Sequence, residues 1–496
     1  MSQRLVILGS IAVGALLVAL LAWNPSRDRT RHAQGPPLLV YCAAGLQPAI
    51  EPAVRAFEAE TGARVQIQYG GSGTLLANLR VSRVGDLFVA ADHFFIEIAR
   101  SNALLAEVIP LARLTPTIAV ARGNPKAIRS LDDLLREDVH LVLANPDAAA
   151  IGRVVRDTLL ARGTWDRFET RARAFKPTVN DLANDLKLGT ADAAIVWDAT
   201  VRQYPELDAV PDATFADAAS EVAVGVLEAC TQPAAALALA RFLAAPERGG
   251  RHMAEHGFAP VAGDPWVRSP ELILFSGGVN RVAIEETLRA FEAREGVGIQ
   301  RVYNGCGILT AQIRAGQKPD GYFACDVSFM RTVGDEFHAA VELAETRMVI
   351  ATPPGNPRGL QSLQDLARPG LKVGLANEEQ SALGALSARL LRKHGWLEAV
   401  MANVVVQTPT ADLLVNQLRA GGLDAVVVYE ANTRAAGEAI AVIPISLDGA
   451  TAIQPLAVGR QTRYPQLMRR LMDTLCSEES RRRFETTGFR WRVPSP

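Results

Sequence analysis

Tyrosine and histidine occur only seven times each in 496 residues, and aromatic residues of all kinds make up 6% of the chain. No two tyrosines are adjacent, which disfavours a ferric-iron site of the kind built on clustered phenols. Cysteine is scarcer still. The five present (Cys42, Cys230, Cys306, Cys325, Cys476) are odd in number and show no Cys-x-x-Cys spacing, so they define no disulfide framework and support neither a structural zinc site nor a thioredoxin-type pair. Charge of one sign is also lacking. With 52 basic and 53 acidic residues interspersed, net charge −1, there is no basic stripe of the kind a nucleic-acid binder shows. The phosphate loop Gly-x4-Gly-Lys-Ser/Thr, the dinucleotide fingerprint Gly-x-Gly-x-x-Gly with its acidic partner, and the Gly-x-Ser-x-Gly nucleophile elbow are all missing. No cofactor is implied.

What the chain does have is a second copy of itself. Phe57-Glu58-Ala59 returns as Phe291-Glu292-Ala293, Tyr69 as Tyr303, Gly73 as Gly307, Asp86 as Asp320 and Asp92 as Asp326, each 234 residues on. The pairing continues through Gly123-Asn124-Pro125 with Gly355-Asn356-Pro357, Trp165 with Trp396, and Gly257-Phe258 with Gly488-Phe489. Solenoid and propeller repeats run to about 20–50 residues and cannot bury a core alone; a unit this long can. A hydrophobic content of 49% supplies ample core.

The N-terminus differs in kind. Leu5 to Trp23 is an uncharged apolar run of 19 residues, which as a helix spans roughly 28 Å, about one bilayer core. It reads as an uncleaved membrane anchor rather than a signal peptide, because no small-residue cleavage site follows it. Arg4 precedes the run while Arg27, Arg29 and Arg31 follow, so the charges leave orientation open. Residues 24–37 read as a linker.

Each copy opens with a strand (Leu38 to Cys42; Leu272 to Ser276), small residues, and then an amphipathic helix. Leu46, Ile50, Val54 and Phe57 form one apolar stripe, and Ile284, Leu288 and Phe291 repeat it. A second strand, Arg64 to Tyr69, runs into Gly70-Gly71-Ser72-Gly73-Thr74 and a helix carrying Leu75, Leu76 and Leu79. Further strands are expected at Asp86, Val139–Leu143 and Ala193–Trp197. This alternation predicts an α/β architecture with largely parallel sheets. Glycine at Gly70 to Thr74 lets a helix N-terminus approach an anion, with the Ser72 hydroxyl as an extra donor; the same residues also read as an ordinary turn and helix cap.

Taken in order, the motifs resemble the periplasmic molybdate-binding proteins of ABC transporters. The resemblance rests on Val40-Tyr-Cys-Ala-Ala-Gly-Leu-Gln-Pro-Ala-Ile50, Phe57-Glu-Ala-Glu-Thr-Gly62, Tyr69-Gly-Gly-Ser-Gly-Thr-Leu75, Gly85-Asp-Leu-Phe-Val-Ala-Ala-Asp92, Ala144-Asn-Pro-Asp147 with Gly152, Ala191-Asp-Ala-Ala-Ile-Val-Trp197 and His256-Gly-Phe258. It implies two tandem type II binding modules, 38–264 and 271–496, joined by a linker 265–270 and preceded by the anchor and linker 1–37. Each module would have two α/β lobes closing by a hinge on a small oxyanion, held without a counter-cation. An ABC permease would be the partner, on the extracytoplasmic side of the cytoplasmic membrane. The implied ligand positions are Ala44, Gly45, Ser72, Gly73, Ile151, Gly152, Val179 and Trp197 in the first copy. In the second they are Gly278, Val279, Cys306, Gly307, Leu383, Ala411 and Tyr429. The family's first-loop serine is Gly45 here and Val279 in the copy, and Ser72 becomes Cys306, a weaker donor.

Some residues stay open at this level. Cys306 and Cys325 both lie beside the implied ligand loops, where a disulfide is one alternative. Asp198 and Glu430 follow the cleft aromatic and either bond a hinge or helix start, or ligate a metal centre directly. Asp86, Asp92, Asp320 and Asp326 read as turn and helix-start acceptors. His252-Met-Ala-Glu255-His256 fits a zinc-protease pattern, but its copy carries Arg483 and Thr487 and no third ligand is identifiable, so neither a metal site nor an enzyme is expected. Sulfate, phosphate or ferric iron as ligand, and a sensor or structural ectodomain with a degenerate second module, are the competing readings.

Overall fold

A computed structural model describes residues 35–494. The expected anchor, residues 5–23, lies outside the described residues. Among the described residues no helix is long and apolar enough to cross a membrane.

The two copies fold as two modules, each around its own hydrophobic core. In the first, Leu38–Ala43 runs parallel to Val65–Gly70 and to Leu87–Ala90, while Ser220–Leu227 is antiparallel to Leu87–Ala90 and to Leu105–Leu114. In the other lobe Leu141–Ala144 is parallel to Ala174–Lys176 and Ala193–Trp197, and Pro116–Ala121 runs antiparallel to Ala193–Trp197 and Leu207–Val210. The sheets are therefore mixed, not largely parallel. The physical reason is the hinge: the chain leaves the first lobe at Leu114 and returns to it after Val210, and the strands flanking those crossings enter their sheets from the opposite end. The apolar stripes do what their spacing predicts. Ile50, Val54 and Phe57 are buried on helix Gln47–Thr61, and Ile284, Leu288 and Phe291 on helix Arg281–Glu295, each burial contributing about 1.5–3 kcal/mol.

The hinge separates the copies. In the second module Val341–Thr352 is one continuous strand that pairs with Thr451–Val458 in one lobe and Ala425–Tyr429 in the other. Its first-module counterpart is divided into Leu105–Leu114 and Pro116–Ala121. Met348 N–H donates to Ala450 O at 2.8 Å, and Pro116, at the matching position, has no N–H to give.

The modules are joined by buried charge. Glu295, 0% exposed, accepts hydrogen bonds from Arg470 (3.1 and 2.9 Å) and Arg241 (3.2 Å) of flanking helices. Burial opposes its ionisation, but the guanidinium groups of Arg470, Arg241 and Arg294 more than offset this and hold the carboxyl below the usual glutamate range. Asp264 accepts from the N–H groups of Gln466 and Leu467 at 2.9 and 2.8 Å, at the start of helix Pro465–Leu475. The connecting segment packs on the first module through Trp266, whose ring meets those of Phe57 and Phe242 edge-on.

Candidate functional site

Helix starts converge on the cleft of the first module from both lobes. Gly45 lies in the turn Ala44–Leu46 that feeds helix Gln47–Thr61, and Ser72 is the first residue of helix Ser72–Ser82. From the other lobe, Ile151 is the second residue of helix Ala150–Ala161, Val179 the first of Val179–Lys187, and Trp197 immediately precedes Asp198–Gln203. The first N–H groups of a helix have no intrahelical acceptor and sit at the positive end of its dipole. Ala44, Gly45, Ser72, Ile151, Val179 and Trp197 line one small cavity of about 20 Å³, with no charged side chain in its wall.

Ser72 is 1% exposed, and its Oγ accepts the Ala91 N–H at 3.3 Å. With a lone pair engaged there, the hydroxyl proton is left to donate. Gly73 and Gly152 do not line the cavity. They serve close approach: a Cβ on Gly73 would lie 2.0 Å from Asp147 O, and one on Gly152 2.5 Å from Ala144 O. Asp147 belongs to the opposite lobe, and Gly73 N–H donates to Ala148 O at 2.9 Å, so Gly73 is a surface on which the lobes close. Gly71 joins it, with a Cβ there 2.3 Å from Ala148 O. The second module repeats this, Gly307 N–H donating to Gln380 O at 2.9 Å and a Gly307 Cβ falling 1.8 Å from Glu379 O.

The second cleft keeps the frame and changes its wall. Gly278 and Val279 occupy the first turn, Cys306 opens helix Cys306–Arg314, Leu383 is second in Ala382–Lys393, Ala411 opens Ala411–Arg419, and Tyr429 precedes Glu430–Thr433. Cys325 N–H donates to Cys306 Sγ at 3.1 Å, in the geometry of Ala91 with Ser72. All five cysteines are free, so the Cys306–Cys325 disulfide weighed from sequence is not formed; the two sit side by side as thiols. Burial pushes the Cys306 thiol up, yet the Cys325 thiol and N–H, with the Tyr322 phenol nearby, hold it below the usual cysteine range. Cys325 goes the other way, raised by Cys306 and by burial. Asn180, whose Nδ2 donates to Ala44 O at 3.2 Å in the first module, is replaced by Asp412, which accepts from Asn432 at 2.6 Å. Burial pushes the Asp412 carboxyl up, with Asn432 and Arg281 opposing.

The remaining acids take backbone partners. Asp198 Oδ1 accepts from Thr115 N–H (3.2 Å) and Ala199 N–H (2.8 Å), at the hinge and at its own helix start, and Glu430 pairs with Arg434 at 2.9 Å. Asp86 and Asp320 accept from Leu39 and Ile273 N–H at 2.8 Å, while Asp92 and Asp326 cap helices through Phe94 and Ser328. His256 Nδ1 lies 2.9 Å from His252 O, within one helical turn. Among the described residues no group of three or more His, Cys, Asp or Glu is placed to hold a metal. The implied ligand positions left out the walls Ala43 and Ala91; the repeat itself carried the signal, since the 234-residue offset pairs Ala43 with Gly277 and Ala91 with Cys325.

A family model described as bacterial extracellular solute-binding protein matches residues 38–259 and again 272–490. The molybdate-binding protein ModA of Mycobacterium tuberculosis is 30% identical over 263 residues, covering 50% of this chain and 95% of that protein. Among solved structures, the periplasmic molybdate-binding protein of Azotobacter vinelandii aligns at 18% identity over 45% of this chain and 98% of its own, with a TM-score of 0.38. The sulfate-binding protein SubI of Mycobacterium tuberculosis aligns at 16% identity over 45% and 88%, with a TM-score of 0.40.

Proposed function

We propose oxyanion capture by the first module from one premise: the chain belongs, twice over, to the bacterial extracellular solute-binding protein family. The ligand is a compact tetrahedral oxyanion, molybdate or tungstate first, delivered to an ABC permease on the extracytoplasmic side of the membrane. The observation that carries this reading is the convergence of helix starts from both lobes, with the Ser72 hydroxyl, on a small cavity without a charged wall. Such a site neutralises an anion with fixed dipoles and N–H donors. The absence of a carboxylate from the wall orders the candidates. A phosphate that still carries a proton needs an acceptor; molybdate, tungstate and sulfate do not. Resemblance to a relative named for molybdate binding supports molybdate. No bond is made or broken.

Calorimetric titration of the full chain with molybdate, tungstate, sulfate and phosphate tests this. One tight site for molybdate or tungstate, weaker for sulfate and weakest for phosphate, is expected. Silence with all four would end the proposal.

A further inference from the structure

The second cleft differs from the first by a correlated set of changes. Ser72 becomes Cys306, Ala91 becomes Cys325 and Ala43 becomes Gly277, all on one backbone frame. The three belong together physically. A Cβ on residue 277 would lie 2.0 Å from Cys325 Sγ and 3.1 Å from Cys306 Sγ, so glycine is what makes room for two sulfurs. Both thiols are withdrawn from solvent, at 0% and 6% exposure, on the side where four helices of eight residues or more begin. Two phenols lie near the thiols. Tyr322 and Tyr429 are buried at 0% and 2% exposure; the Tyr322 phenol faces the Cys306 sulfur, and the Tyr429 Oη has no hydrogen-bond partner. Tyr429 holds the place that Trp197 takes in the first cavity, and the fields of Cys306, Cys325 and Asp326 reach its phenol. Buried polar groups are ordinarily satisfied, so an open phenol beside paired thiols marks a place where something binds.

The donor set says what. A thiol is a poor hydrogen-bond donor to an oxyanion, and Asp412 in place of Asn180 brings a carboxylate to the mouth, within 3.7 Å of where a Gly278 Cβ would sit. Zinc in a structural site takes four ligands, and a third His, Cys, Asp or Glu is missing among the described residues. Two soft thiolates suit a soft monovalent ion instead. We propose that the cleft of the second module is a binding site for a thiophilic monovalent cation of the Cu(I) class, held between Cys306 and Cys325. The ion enters as M⁺ and leaves the oxidation state of metal and sulfur unchanged. Each cysteine that arrives as a thiol gives its proton to water, and the two-thiolate complex carries one negative charge, facing the positive ends of the surrounding helices. Lobe opening at the hinge gives the ion access. The assignment goes beyond the oxyanion reading of the first module and does not depend on it.

The test uses the full chain in a Cys230→Ser/Cys476→Ser background, which removes the two half-buried thiols. Reduced and oxygen-free, it is titrated with Cu(I) against a chromophoric Cu(I) chelator. One equivalent retained is expected, with two sulfur neighbours in copper-edge X-ray absorption. Affinity should fall by at least about 100-fold in Cys306→Ser and in Cys325→Ala, and stay unchanged in Ser72→Ala. Both variants restore residues that the first module carries on the same frame, so folding is expected and circular dichroism checks it. Failure to retain Cu(I), or equal retention by the Cys306→Ser/Cys325→Ala double variant, overturns the assignment. So does a Cys306–Cys325 disulfide in the isolated chain that takes up no Cu(I) once reduced. None of these outcomes touches molybdate binding by the first cleft.

Discussion

The two clefts are built on one frame and finished with different chemistry. In each, helix starts from two lobes face each other, a Gly-x-Gly pair meets the opposite backbone, and an N–H from the third strand's end reaches the first side chain of the second helix. That side chain is a hydroxyl in one and a thiol in the other. The neighbouring Ala91 becomes Cys325, the amide Asn180 becomes the carboxylate Asp412, and the indole Trp197 becomes the phenol Tyr429. What survives duplication is the set of residues that lets the lobes shut. What diverges is the set that a ligand would touch. Closure tolerates almost no change, because Gly73 and Gly307 abut backbone carbonyls that cannot move aside, whereas a ligand wall can be rebuilt without disturbing the fold.

The comparison is cleanest if each module can be studied without the other, and Glu295 is the lever. Replacing it with alanine leaves Arg241 and Arg470 buried and unpaired, at a cost of about 3–5 kcal/mol. Calorimetric scanning of Glu295→Ala should show one transition splitting into two, each assignable to a module by ligand. A single unshifted transition would mean that the interface contributes little. Acid acts in the same direction. The folded-state pKa of Glu295 is depressed, so its stabilisation is complete above the unfolded value of about 4.3 and is lost as pH falls through the lower folded value. Asp264, raised by burial, works in the opposite sense and softens that loss.

Closure gives the next largest effect. Gly73→Val puts a branched side chain where even a Cβ lies 2.0 Å from Asp147 O, so oxyanion affinity should fall by two decades or more, about 2.7 kcal/mol. Gly307→Val should leave oxyanion binding intact and abolish Cu(I) retention. If both variants weaken both ligands equally, the clefts are not independent. Ser72→Ala comes next: removing one hydrogen bond to a charged ligand costs about 1.5–3 kcal/mol, or roughly 10–150-fold in Kd. Titration of Ser72→Ala beside Cys306→Ala, which should stay within about twofold, shows whether the hydroxyl is what separates the two sites.

Much of this was legible in the sequence. Stripes such as Ile50, Val54 and Phe57 announce their helices because burial selects a period of 3.6, and Gly-Gly-Ser-Gly announces a turn because few other residues fit one. Six of the eight expected first-cleft residues line one cavity; the other two, Gly73 and Gly152, were expected at the ligand and instead sit against backbone carbonyls. Three things were not legible. The mixed sheets follow from hinge crossings, which are long-range and leave no local period. Cys325 and Gly277 matter only through each other and through Cys306, a relation set by the fold. The joining charge at Glu295 pairs with residues 54 and 175 positions away, beyond any window of local pattern.

The smallest expected effect decides most about the comparison. If the ligand wall alone separates the clefts, then Gly277→Ala, Cys306→Ser and Cys325→Ala together should give the second cleft the first one's wall at three places. The first module carries these three residues together on this frame, and the Gly277 methyl becomes possible only once the Cys325 sulfur that lies 2.0 Å from it is gone. Val279 still replaces Gly45, and the Asp412 carboxylate still stands at the mouth, so affinity should remain well below that of the first cleft. A weak second oxyanion site is the expected outcome, resolved by titrating molybdate into the triple variant carrying Gly73→Val to silence the first. Adding Asp412→Asn should strengthen it, since removing a carboxylate near a bound anion is favourable whatever the local screening. No second site even with all four changes would place the difference elsewhere, in the hinge, where an unbroken strand through Met348 replaces the break that Pro116 makes in the first module.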